Sequence, residues 1–377
     1  MNPYDFVRID WSKLPERRRP VWHDRFVGQN SQALYSGHIE VDVYAETPIF
    51  VPERANERAF DPQKPAQFMK NGQGNYIIPG SSLKGVLRTV AEALGNGCLT
   101  LFDGDYERHQ VNYQQNVPRE FYRCERSDSL CITCRAFGML NRGSVFLGKV
   151  NVGDAVAYPE KVYVYEKPIY TKPLMEPKPH HASFYLDETG HHIAGRKFYF
   201  HHSRDYEPLA ENRLIYFGNR PANRYIQPLD YDTSFHFRVD FTNLEEDEFG
   251  ALLLSIILEE EMRHKIGYAK PLGLGSVQLI PTSMTLIDYA ARYKPGRSDN
   301  GKMTFEGDAM WAKINEQTDR FSATHLIPAA MEDLRRIWRW PPDPQADYYY
   351  PSKRDWFDTP ASRGKRIADT WDVPRQA

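Results

Sequence analysis

The sequence predicts an α+β fold with the βαββαβ order of a ferredoxin-like, RRM-like domain, heavily inserted. Three observations carry that expectation. GHIEVDVYAETPIF, from Gly37, alternates Ile39, Val41 and Val43 against Glu40, Asp42 and Tyr44, which is the period of a half-buried strand. YIIPGSSLKGVLRTVAEAL, from Tyr76 to Leu94, is a strand, a turn and an amphipathic helix. SFHFRVDF places Phe235, Phe237, Val239 and Phe241 on one face, and a second apolar stripe at helical spacing follows it.

Composition bounds the rest. The chain has 377 residues and a net charge of -2, so no global basic field announces nucleic acid, and any such site is a local patch. Aromatic residues make up 13%, including 23 Tyr and 20 Phe, which supply stacking surfaces or a β-rich core. With 27 Pro and 24 Gly, long ordered loops are expected. No apolar run reaches the length of a membrane-spanning helix. The opening MNPYDFVRIDWSKLPERRRP has no apolar signal region, so the expected location is cytoplasmic. Cys98, Cys124, Cys131 and Cys134 are clustered in sequence, which in such a chain favours a metal over disulfides.

In chain order, residues 1–36 read as an N-terminal arm. Residues 37–285 form the main domain. Within it, residues 51–75 lack periodicity and form a long loop of the kind that is either functional or disordered. Asp61 stands there among Arg54, Arg58 and Lys64. A carboxylate so placed can position a metal or an attacking hydroxyl at a phosphodiester, although an Asp before Pro62 is also an ordinary turn residue.

Pro79-Gly80 then breaks a β-like run, and Ser81 or Ser82 can cap the helix that follows. Leu83, Val86, Leu87, Val90 and Leu94 make its apolar face, and Gly95 stops it. Lys84 and Arg88, four apart, can point at a common anion near a helix start that itself favours phosphate. The same residues also suit an ordinary capped helix with solvated charges. No GxxxxGK[ST] loop is present.

Residues 96–142 are a zinc-binding insertion. Cys131 and Cys134 form a CxxC pair that can hold one tetrahedral zinc, and Cys124 is close enough to add a third thiolate. His109, in a polar loop, is the first choice for the fourth ligand, with Cys98 the second. Such a site has no open position and is structural. Residues 160–225 form a second insertion, basic and aromatic, with Arg196 and Lys197 beside FYFHH, and are a candidate single-strand contact surface. His191, His192, His201 and His202 read as polar or RNA-facing rather than as a metal centre.

Asn243 is expected to cap the second long helix, with Glu246 completing a capping box. Phe249, Leu252, Leu253, Ile256 and Ile257 are its stripe, and Gly267 its end. KPLGLGSV then gives a Gly-rich turn, Gly273 and Gly275, with Lys270 just before it, where successive N–H groups can face an anion. Residues 286–377 read as a C-terminal extension, either a subdomain or an arm that packs on a neighbour.

Several of these segments together resemble one family. IPGSSLKGVLR (Ile78–Arg88) resembles the strand–turn–helix signature of the RAMP superfamily of CRISPR-associated proteins. CITCRAFG (Cys131–Gly138), followed by GKV, resembles the zinc-bearing segment of type III backbone subunits, and KPLGLGSV the superfamily's Gly-rich loop. MNPYDFVR, HDRF (His23–Phe26) and GRKFYFHH (Gly195–His202) look like a narrower, type III-D-like group. The resemblance covers roughly residues 1–285.

The resemblance implies an antiviral ribonucleoprotein subunit that binds guide crRNA along its palm and stacks with neighbouring RAMP subunits and a large subunit. Ser81, Ser82, Lys84 and Arg88 match guide-backbone contacts, and Lys270, Gly273 and Gly275 the loop beside the RNA. Arg196 and Lys197 join them as RNA-binding candidates. Residues 160–225 fall where a thumb kinks the guide–target duplex. Asp61 matches the residue with which active members, supported by Mg2+ or Mn2+, cut target RNA, so the chain is expected to be an endoribonuclease. Phe60 departs from the family's aliphatic residue there. The alternative is a non-catalytic RNA-binding scaffold of the same complex. A guide-processing nuclease using His201 or His202, and a zinc-bearing interaction protein, are further readings.

Overall fold

The computed structural model describes residues 2–23, 25, 34–53, 64–99, 113–141, 143–174, 181–203, 210–211, 213–292, 300–350, 356 and 364–367. Its centre is an antiparallel sheet. The long strands are β2 (Tyr35–Ala45), β7 (Ser234–Leu244) and β9 (Ser276–Ile287), and shorter ones are β3 (Ile77–Ile78), β4 (Val150–Val152), β5 (Ala155–Ala157), β8 (His264–Lys265) and β10 (Lys302–Phe305). The order across the sheet is β8-β9-β2-β7-β5-β3, with β4 on β7 and β10 on β9. Reduced to its main strands, this is the order 4-1-3-2 in which a βαββαβ chain folds.

Alternation explains the layers. Ile39, Val41 and Val43 of β2 and Phe235, Phe237, Val239 and Phe241 of β7 point to one face and are buried. Helices α1 (Gly80–Leu94) and α3 (Glu246–Ile256) cover that face and pack against each other. Leu83, Leu87, Val90 and Leu94 are buried in α1, at the spacing that predicted it, and Val86 packs at the margin. The opposite face carries Glu40, Asp42 and His236, whose ring bonds both carboxylates, at 3.0 Å and 2.8 Å.

The start of α3 differs from the expected cap. Glu245 is the cap residue, and Glu248 completes the reciprocal pair. Asn243 lies at an irregularity in β7 with φ 55°, and its N–H donates to Ser36 Oγ at 2.8 Å. Strand β7 extends through Leu244, so the cap falls two residues later. The helix ends at Ile256, well before Gly267.

Both ends of the chain join the body. β1 (Tyr4–Val7) pairs with β6 (Arg196–Tyr199) of the second insertion. The proposed boundary near residue 285 falls inside β9. Helix α4 (Gly307–Thr324) packs on α3, and α5 (Pro328–Ile337) on β1 and α1. Met310, Ile314, Phe321, Met331, Leu334 and Trp338 belong to the same continuous core as the sheet. These two long helices of the extension therefore fold onto this chain. The described remainder of the second insertion includes a small sheet, with Ile169–Thr171 between Ala210–Glu211 and Tyr225–Ile226, a short helix at Ala182–Tyr185, and a hairpin of Tyr216–Phe217 and Arg220–Pro221.

Candidate metal centre and nucleic-acid interface

Four cysteines from three segments meet in one buried cluster. Cys131 precedes the short helix α2 (Ile132–Phe137), and Cys134 lies within it. Cys124 follows a 3-10 turn at Arg119–Phe121. Cys98 follows α1, and the next N–H, of Leu99, donates to Phe121 O at 2.8 Å, which lays this segment beside Cys124. A Cβ at Gly97 would come within 2.5 Å of Thr133 Oγ1, so a side chain there would push Cys98 away from α2.

The sulfurs all lie within 4.8 Å of one another, and Cys98 and Cys134 are 3.6 Å apart. Thiolates at about 2.3 Å from a tetrahedral zinc have edges of about 3.8 Å, so the set fits zinc. Leu130, Met139 and Phe146 wall it off. The Cys131 N–H donates to Cys124 Sγ at 3.2 Å. The fourth sulfur of the cluster is that of Cys98, the second choice for the fourth ligand, while His109, the first choice, lies outside the described residues. Cys98 arrives by a long-range contact, because the 98–99 and 121–122 segments pair only in the folded chain.

The RNA-binding candidates separate into three groups. Ser81 and Ser82 are exposed in the first turn of α1, and neither caps it. Pro79 takes the cap position, and the Gly80 N–H donates to Asp154 Oδ1 at 2.8 Å. A Cβ at Gly80 would stand 2.1 Å from Val152 O, so glycine lets the helix start touch the β4–β5 turn that carries Asp154.

Lys84 and Arg88 do not converge on one anion site. The Lys84 ammonium donates to Val150 O at 2.7 Å, and burial, with Arg88 nearby, lowers its pKa. Arg88 turns toward the cysteines. It donates to Glu92 Oε1 at 2.9 Å, to Gly138 O at 2.8 Å and to Cys134 Sγ at 3.6 Å. Burial opposes its charge, but Glu92, Cys134 and Cys98 outweigh that and raise its pKa. Arg196 is drawn the same way, donating to Gly97 O at 2.5 Å and facing Glu92 Oε2 at 3.4 Å.

Lys197 and Lys270 form the third group. They come from the second insertion and the Gly-rich turn, yet each acts on the same cluster of tyrosines. The Lys197 ammonium lies 3.8 Å from the Tyr4 ring centroid and 4.7 Å from that of Tyr199, and Lys270 lies 6.0 Å from Tyr199. Crowding by these rings, followed by the charge of Lys270, pushes the pKa of Lys197 down to about 8. Lys270 also donates to Gly267 O at 3.0 Å, and burial lowers its pKa. No carboxylate offsets either lysine among the described residues.

The glycines of that turn serve the chain's own backbone. Gly275 has φ 79°, and a Cβ there would lie 1.8 Å from Ile266 O. Gly273, at φ 99°, sits against the His202 ring. His201 and His202 are buried rather than RNA-facing. The His201 ring bonds Ser276 Oγ at 2.8 Å and Arg263 O at 3.0 Å, and burial pushes its pKa well down, which leaves it unsuited to surface acid–base work.

The sheet register gathers much of this at one end. β2 finishes at Ala45, opposite Val277 near the start of β9, while Tyr44 faces Ser234, Phe235 faces Ala157, and Val156 faces Ile77 just before α1. The Gly-rich turn, the residues after Ala45 and the start of β3 therefore share one rim, from which β3 runs inward to the start of α1 beside Val152 and Asp154. The long loop leaves from it and returns to it, because Met69 donates to Val51 O at 2.8 Å and Glu53 to Gln67 O at 3.1 Å. Asp61 lies outside the described residues, as do Arg54 and Arg58. Sequence reasoning missed Asp154, Glu92 and Tyr4, although Glu92 lies in the Tyr76–Leu94 stretch and Tyr4 in MNPYDFVR.

No described helix is long and apolar enough to cross a membrane. A family model for the RAMP superfamily matches residues 42–278, more than half of the chain. No curated protein gives a significant match.

Proposed function

The chain belongs to the RAMP superfamily, and from that membership we propose that it is a guide-RNA-binding backbone subunit of a type III CRISPR ribonucleoprotein, with a structural zinc. The observation that carries this reading is the shared rim. The Lys270 turn and both ends of the 51–75 loop lie along it, β3 runs from it toward the exposed Ser81–Ser82 turn, and among the described residues no carboxylate offsets Lys270 or its neighbour Lys197. Two such cations beside tyrosine rings offer a phosphate contact and stacking surfaces to a single strand.

Cleavage of bound target RNA is the second part of the proposal. The ribose 2′-OH attacks the adjacent phosphate, the O2′–P bond forms as the P–O5′ bond breaks, and the products are a 2′,3′-cyclic phosphate and a 5′-OH. Asp61 orients the hydroxyl or a divalent cation, Mg2+ or Mn2+, and basic neighbours such as Lys64 stabilise the developing charge. A target strand, neighbouring RAMP subunits and a large subunit are the partners this role requires.

The chain is to be expressed with its complex and a repeat array, and its bound RNA sequenced. Repeat-derived guides of defined length support the reading, and a protein free of RNA overturns it. Asp61→Ala complexes should bind target normally and lose one cut. If every cut persists, the subunit is a scaffold and the cleavage proposal falls.

A further inference from the structure

Two arginines that the sequence assigns to RNA are spent elsewhere, and the place they go is specific. Arg88 donates to Cys134 Sγ at 3.6 Å and to Glu92 Oε1 at 2.9 Å. Glu92 Oε2 faces Arg196 at 3.4 Å, and Arg196 donates to Gly97 O at 2.5 Å and to Cys98 O at 3.4 Å. The chain of contacts leaves the cluster at one cysteine and re-enters at another. Cys134 and Cys98 are the pair whose sulfurs stand 3.6 Å apart.

Charge gives this arrangement a reason. Four thiolates around a divalent ion carry a double negative charge, and a buried charge needs a partner. Arg88 supplies one, with its side chain 24% exposed. It is the one described cation whose hydrogen bond reaches a sulfur of the cluster. Glu92, 11% exposed in its side chain, keeps both guanidinium groups in place, and Arg196 ties down the backbone on either side of the Cys98 Cα.

We infer that Arg88, Glu92 and Arg196 form an outer clasp of the four-cysteine centre, positioning Cys134 and Cys98 for a zinc-like ion, and that these arginines serve the metal rather than RNA. The inference rests on the metal reading of the cysteines. Because Arg88 and Glu92 both lie on α1, metal occupancy also fixes the helix whose first turn exposes Ser81 and Ser82.

The test uses the full-length chain and Zn2+ itself, with affinity read by competition against a chromogenic chelator and the ligand set by the absorption spectrum of the Co2+ form. Wild-type protein that takes up neither ion refutes the metal reading. With the wild type loaded, Arg88→Ala and Arg196→Ala should each weaken zinc about ten- to a hundredfold, the range for outer-shell partners. The double variant should lose less than the product of the two, since both act through Glu92. Arg88→Lys keeps the charge without the fork and should fall between. Arg126→Ala, an exposed residue paired with Asp128, should match wild type. If Arg88→Ala does not fold, the isosteric Glu92→Gln reads the same link. Zinc affinities within twofold of wild type overturn the clasp, and so does an Arg88→Ala that loses RNA affinity while keeping its zinc.

Discussion

The Asp154 carboxylate accepts a 2.8 Å hydrogen bond from the Gly80 N–H, so the chain places its own anion at the start of α1. A helix start attracts negative charge because its first N–H groups lack partners. Here one of them is already satisfied from the β4–β5 turn. Asp154→Ala should therefore cost about 1 kcal/mol in chemical denaturation, as loss of a helix cap does. It should also expose the Gly80 N–H to a phosphate, so the variant is expected to bind RNA no more weakly than wild type.

Replacement of single ligands distinguishes the two candidates for the fourth metal position. Cys98→Ser should lower bound zinc and change the Co2+ spectrum from a four-sulfur to a three-sulfur type. His109→Ala should leave both unchanged. The opposite pattern would restore His109. Chelation of the metal should loosen the segment around Cys124, Cys131 and Cys134, read as faster amide hydrogen exchange there, because α2 is only six residues long and a helix of that length does not hold itself.

Lys197 gives the RNA interface a pH signature. Its pKa is pushed down to about 8, so the ammonium is charged at pH 7 and loses its proton as the pH passes 8. RNA affinity should fall between pH 7 and 9, and Lys197→Ala should flatten that fall. Lys197→Ala and Lys270→Ala should each weaken binding across sequences and reduce the salt slope by about one. A salt slope unchanged in both variants would remove them from the interface.

A second pH effect concerns folding. His264 is fully enclosed, with its Nε2 2.8 Å from Ser255 O, and burial pushes its pKa down to about 4 from an ordinary value of 6.5. Between those values the unfolded chain takes up a proton that the folded chain refuses. Its contribution is therefore complete above pH 6.5 and is lost as the pH falls toward 4, by about 1.4 kcal/mol per unit. His201 acts in the same direction. Tm should drop over this window, and His264→Gln should reduce the drop.

Short-range pattern told the sequence reader a great deal. The period of two in Ile39, Val41 and Val43, and in Phe235 to Phe241, named the central strands, because successive side chains of a strand leave on opposite faces. The spacing of Leu83, Leu87, Val90 and Leu94 named α1 in the same way. The CxxC spacing of Cys131 and Cys134 pointed to the four-cysteine cluster, since two thiols three apart can reach one centre. All of these are local geometry, repeated within a few residues.

What tertiary structure alone decided is which distant residues meet. Cys98 enters the cluster because its segment pairs with residues 121–122. Arg88 faces sulfur because α1 passes beside α2, and Arg196 joins it because β6 is held against β1. Asp154 reaches Gly80 across 74 positions. A charged side chain looks the same in sequence whether it will meet a phosphate, a carboxylate or a thiolate. Its partner is chosen by the packing of elements far apart in the chain, and no local spacing encodes that choice.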